Sequence, residues 1–132
     1  MPVTVQPPPV VIPYYRVEIR DLLKAFKALS DETRLRMLLL LLDRDVCICE
    51  MKEVLPLSAS QLSRNLNMLL DAGFLRRWRE GRCVVYTADR NSANPYCHIL
   101  LDMLAESLGD SQTIVEDKKK LQQVLVQNLR QG

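Results

Sequence analysis

The chain is poor in most of what enzymes and membrane proteins are built from. Its 132 residues include one histidine, four glycines and only 5% aromatics. With His98 as the sole imidazole, no Gly-rich phosphate loop and no paired-carboxylate signal, little remains to run acid–base or phosphoryl chemistry, which argues against an enzyme. No apolar run approaches the roughly 20 residues of a membrane span. Residues 1–13 lack the basic head and apolar centre of a secretory leader, so the expectation is a cytoplasmic protein whose four cysteines are reduced and free. Few aromatics beside abundant leucine favour helices over a β-sandwich. What is present, 48% apolar and 26% charged residues, suits one globular domain with its own core.

The informative stretch is Leu57 to Tyr86. Leu62, Leu66, Leu69 and Leu70 recur on one helical face. Ser60, Gln61, Ser63, Arg64 and Asn67 fall on the other, with side chains that can hydrogen-bond to base edges or phosphates. Gly73 supplies a left-handed stop. Phe74 to Arg79 and Arg82 to Thr87 then read as two strands joined across Glu80-Gly81, a hairpin with an arginine tip. Helix, glycine stop and basic hairpin in that order form the pattern of a recognition helix and wing; an amphipathic helix packed on a solvated hairpin is the plainer alternative. From Ser60 to Arg90, Arg64, Arg76, Arg77, Arg79, Arg82 and Arg90 face only Asp71, Glu80 and Asp89, a local charge of +3 in a chain of net charge +2. Positive charge concentrated there suits a phosphate backbone.

The rest of the chain reads as support. Residues 1–15 hold five of the seven prolines and predict a flexible arm. Leu22, Phe26 and Leu29 predict a first helix over 17–29. Ser30-Asp31 caps a second, about 31–43, whose run Met37 to Leu42 is apolar nearly all round and belongs at the centre of the core. A short third helix, about 47–55, is stopped by Pro56, with Ser58 as cap of the fourth. After the wing, a fifth helix over 96–108 shows Ile99, Leu100, Met103, Leu104 and Leu108, and a last, about 112–130, shows Ile114, Leu121, Val124, Leu125 and Leu129 opposite a solvated Lys118-Lys119-Lys120. The apolar stripes of these terminal helices need a cover, for which a second subunit is expected. The fold expected is mainly α: a winged helix-turn-helix of five to six helices with a two-stranded wing, forming a homodimer. Residues 16–110 make its DNA-binding and dimerisation domain and 111–132 a C-terminal helix.

Three segments resemble the ArsR/SmtB family of metal-responsive repressors: Phe26 to Arg36, Val46-Cys47-Ile48-Cys49-Glu50, and Leu57-Ser58 with Leu62 to Leu66 and Leu69 to Phe74. The second is similar to the Cys-x-Cys box of arsenic-type members. The resemblance implies a dimeric repressor, joined through its helices at about 17–29 and 96–108, that leaves operator DNA, an imperfect inverted repeat, when trivalent arsenic or antimony binds. Asn65 stands where the family usually has His, and Lys52 where many arsenic sensors add a third Cys.

Cys47 and Cys49 are thus the expected metal ligands. In a regular helix, side chains two apart point about 200° from each other, so two sulfurs at this spacing grip one ion only if the start of helix three is unwound or unwinds. That unwinding is the expected switch. Small apolar cysteines at a helix start are the plainer reading, and a thiol redox sensor or a Cd/Zn/Pb sensor of the same fold is the alternative function. Cys83, on a wing strand, reads as structural, Cys97 is a candidate third ligand, and Arg79 and Arg82 are expected to meet phosphates or the minor groove.

Overall fold

A computed structural model describes residues 18–131. The Pro-rich arm expected over residues 1–15 lies outside the described residues. The helices are α1 (Ile19–Leu29), α2 (Glu32–Asp43), α3 (Ile48–Val54), α4 (Ala59–Ala72), α5 (Pro95–Leu108) and α6 (Gln112–Leu125), with a closing 3-10 turn at Leu129–Gln131. The strands are β1 (Val46–Cys47), β2 (Leu75–Glu80) and β3 (Cys83–Ala88). They form one antiparallel sheet in the order β1-β3-β2.

The two central helices form where the pattern predicts. Asp31 caps α2 by accepting from the Arg34 N–H, and Met37 to Leu41 are all buried. Ser58 caps α4, and Gly73 ends it at φ 98°, where only glycine is unstrained. Leu62, Leu66 and Leu69 of α4 meet α2 in the core with Phe74.

Three expectations are corrected. The wing has a third strand, because Val46 and Cys47 pair with Tyr86 and Val85 of β3. Helix α1 turns Ala25 and Ala28 inward, while Ile19, Leu23 and Phe26 remain 80%, 54% and 48% exposed. Small residues let α1 approach the core closely, so Leu22 and Leu29 are half-buried at its edge and Phe26 points away. The last helix ends at Leu125, and its stripe of Ile114, Leu121 and Val124 is covered by its own chain, packed on α2 and α3, rather than by a second subunit. Arg36 of α2 holds it through two 2.8 Å bonds to the buried Asp117 carboxylate.

Candidate DNA interface and thiol site

The candidate DNA-reading face begins at the cap of α4. The Ser58 hydroxyl accepts from the Gln61 N–H, and Gln61 Oε1 accepts from the Ser58 N–H at 2.9 Å. The capping box engages the Gln61 carbonyl oxygen and leaves its amide NH2 for a partner. Ser60, Arg64 and Asn67 are exposed and Ser63 is half-buried. Ser63 and Asn67 line a cleft of about 470 Å³ between α4 and the wing, facing Arg77 and Arg79. The Arg77 guanidinium donates to Asn67 Oδ1 at 3.5 Å, so the sheet adds Arg77 to the expected set. Strand alternation, which puts Arg77 on the same side as Arg79, is the signal that identifies it. At the wing tip Gly81 has φ 59°, and Glu80 pairs with Cys83 across Gly81-Arg82, which leaves Arg79 and Arg82 exposed. Asn65 is engaged inside the domain: it accepts from Arg34 Nη1 at 3.0 Å and donates to the Gln61 carbonyl at 3.0 Å. It ties the recognition helix to α2.

The thiol site lies behind the wing. Cys47 is the N-cap of α3 in extended backbone, with φ −78° and ψ 150°. Its N–H donates to Glu50 Oε1 at 2.8 Å in a capping box. Cys49 is in the first turn. Because Cys47 stands outside the helix, its sulfur and that of Cys49 already meet, and the structure joins them in a disulfide. This corrects the expectation that these cysteines are free; the expected condition for the sulfurs to meet is satisfied in its first form, since Cys47 already stands outside α3 and no further unwinding is needed.

Cys83, like Arg77, is absent from the expected set of site residues. Its Sγ is 3.8 Å from Cys49 Sγ, and the sulfurs of Cys47, Cys49 and Cys83 all lie within 4.8 Å of one another. The β1–β3 register is responsible. Cys47 pairs with Val85, and extending that register by two residues carries Cys49 to Cys83. Cys97 is corrected as a third ligand. It is fully buried, its thiol donates to the Ala72 carbonyl at 3.2 Å, and it is not part of the sulfur cluster. Burial pushes its pKa up to about 12, against a partly opposing hydrogen bond with Ser92. His98 is exposed and lies 3.6 Å from Asp102.

Arg130 closes the site from the C-terminal side. Its guanidinium donates to Glu50 Oε1 at 3.0 and 2.8 Å, to Asp45 Oδ1 at 2.9 Å and to Glu80 Oε2 at 3.3 Å. Burial works against its charge, but the bonds to Glu50 and Asp45 outweigh that and raise its pKa.

A capped recognition helix beside an arginine-bearing hairpin, with helices packed around them, defines a winged helix-turn-helix of regulatory rather than catalytic type. The comparisons narrow this class. The family model described as bacterial regulatory protein, arsR family, matches residues 31–77. A cadmium resistance transcriptional regulatory protein homolog of Staphylococcus aureus is 34% identical over 70 residues, covering 52% of this chain and 58% of that one. An arsenic resistance transcriptional regulator of Pseudomonas putida is 44% identical over 62 residues, covering 46% of this chain and 48% of that one. The chain therefore spans about half the length of these two relatives. The solved structure of an ArsR-like transcriptional regulator from Rhodococcus sp. superposes with a TM-score of 0.53 at 31% identity, over 66% of this chain and 80% of that one. The chain belongs to the ArsR family of bacterial regulatory proteins. No helix among the described residues is long and apolar enough to cross a membrane.

Proposed function

We propose that the protein is a transcriptional repressor that binds operator DNA as a homodimer and releases it when trivalent arsenic or antimony binds at Cys47 and Cys49. The observation that carries this reading is position. The Cys47–Cys49 sulfur pair sits at the start of α3, one strand pairing from a wing whose Arg79 and Arg82 are exposed beside the polar face of α4. Ser60, Ser63, Arg64 and Asn67 read bases and phosphates from the major groove, with Gln61 contributing through its NH2 group; Arg79 and Arg82 hold the backbone or minor groove. Soft thiolates suit thiophilic ions. The resistance named for the Pseudomonas relative supports arsenic, and that named for the Staphylococcus relative supports cadmium as the alternative inducer. The Cys47–Cys49 disulfide favours a second reading, in which oxidation of the pair is the signal.

Support for the dimer comes from α1 and α5. Ile19, Leu23 and Phe26 on one and Ile99 and Met103 on the other are large apolar side chains left exposed on adjoining helices. Phe26→Glu is expected to give a monomer in sedimentation, and an unchanged dimer would move the interface elsewhere.

The deciding experiment is fluorescence anisotropy of the reduced protein on DNA from its own promoter, titrated with arsenite, antimonite, Cd(II) and Zn(II). Release by arsenite or antimonite, lost in Cys47→Ser and Cys49→Ser variants that still bind DNA, is the expected result. Release that survives both substitutions would refute the site. Release by oxidant alone would select the redox reading.

A further inference from the structure

We propose that Cys83, from the wing, is the third thiolate of the inducer site, so that the metalloid ties the start of α3 to the tip of the wing. This deepens the sensor reading and rests on it.

The geometry comes first. A thiophilic ion with sulfurs at about 2.3 Å holds them roughly 3.5–3.8 Å apart. Cys49 Sγ and Cys83 Sγ are already 3.8 Å apart, and Cys47 Sγ completes a triangle within 4.8 Å. The three sulfurs border a cleft of about 160 Å³ that is otherwise lined by Ile48, Val84 and Arg82. Lys52, where a local third cysteine would stand, is exposed on α3, so the helix itself offers no replacement.

Charge selects the guest. Three thiolates around a trivalent centre make a neutral unit, which a half-buried cleft walled by Ile48 and Val84 accepts without an uncompensated charge. A divalent ion on the same three thiolates keeps one negative charge. Among the lining residues only Arg82 can balance it. The chemistry is ligand exchange without redox change. The hydrated form As(OH)3 exchanges three As–O bonds for three As–S bonds, and each thiol proton leaves with a hydroxide as water. The Cys47–Cys49 disulfide is first opened by two equivalents of a small-molecule thiol, which is oxidised to its own disulfide.

The output follows from what Cys83 adjoins. It neighbours Arg82 at the turn of the wing and pairs with Glu80, whose carboxylate also receives Arg130. Fixing Cys83 to Cys49 sets the wing against α3 and thereby against α4. The ligand acts only if this clamped position differs from the one the wing takes on DNA. In this scheme α3 keeps its first turn.

The test is arsenic X-ray absorption on the reduced full-length protein, paired with operator release. The wild type is expected to show three sulfur neighbours per arsenic. Cys83→Ser is expected to show two sulfurs and one oxygen, with at least about tenfold more arsenite needed for release, because a chelating arm is lost. Cys97→Ser should keep three sulfurs. Circular dichroism and retained operator binding check that Cys83→Ser is folded, and Cys83→Val serves as a second, apolar replacement. Two sulfurs in the wild type, or unchanged release in both Cys83 variants, would overturn the role of Cys83 while leaving the Cys47–Cys49 sensor standing. No sulfur around arsenic in the wild type would overturn the sensor reading itself.

Discussion

Replacing Arg130 with Ala tests whether the closing turn holds the thiol site in place. Glu50 is only 3% exposed and receives two bonds from this guanidinium, at 3.0 and 2.8 Å. Removing one partner of a fully buried pair costs about 3–5 kcal/mol, because the other charge is stranded. Two features lower that figure here. The Arg130 side chain is 20% exposed, and Glu50 keeps the Cys47 N–H at 2.8 Å. The expected loss is about 2–3 kcal/mol. With a urea slope of about 1–3 kcal/mol/M, the midpoint should fall by roughly 1–2 M. The assay is urea unfolding at fixed protein concentration, since association adds to apparent stability. A double-mutant cycle with Glu50→Gln isolates the pair: neutralising Glu50 should recover part of the loss, so the double variant costs less than the two single ones together. A midpoint shift worth less than about 0.5 kcal/mol, the size of an exposed ion pair, would refute the argument.

Other expectations follow from the same geometry. Arg82→Ala should weaken binding to all DNA sequences and flatten the logarithmic salt dependence by about one unit; an unchanged slope would take the wing tip off the phosphates. Gly73→Ala forces an L residue to φ 98° and places a Cβ 2.7 Å from the Ser92 hydroxyl, whereas Gly81→Ala at φ 59° meets nothing within 4 Å. Both should destabilise by about 1–2 kcal/mol for the backbone, and Gly73→Ala by more, read as a larger drop in urea midpoint. Cys97, with its folded pKa pushed up to about 12, stabilises fully below the pKa of its unfolded thiol. That stability is lost as pH rises from there toward the folded value, because the unfolded thiol ionises first. Between pH 8 and 10 the wild type should lose about 2 kcal/mol relative to Cys97→Ala in urea titrations, and parallel curves would contradict the burial argument.

Much of this architecture is legible in residue order because it is local. The Leu62-Leu66-Leu69 face, the Ser58 cap, the Gly73 stop and the Arg-tipped hairpin each depend on neighbours within a few positions. The same holds for the apolar run of α2 and for the family resemblance those segments carry. Periodicity fails where a helix has two apolar faces. In α1 it finds Phe26, but which face turns inward depends on how closely Ala25 and Ala28 let the helix approach.

What only the tertiary structure decides is set by contacts between distant residues. Strand β1 is two residues long, too short for any alternation, yet its register on β3 brings Cys83 to Cys49 across 34 positions. The Cys47–Cys49 pair is written in the Cys-x-Cys spacing, but the nearness of Cys83 to it is not. In the same way Asp117 meets Arg36 across 81 positions and Arg130 meets Glu50 across 80. Nothing local in the chain marks those charges as partners. The residue order therefore specifies a capped amphipathic helix, a wing and a sulfur pair. Packing decides that Cys83 lies beside that pair and that Arg130 meets Glu50, because both depend on where separate elements dock.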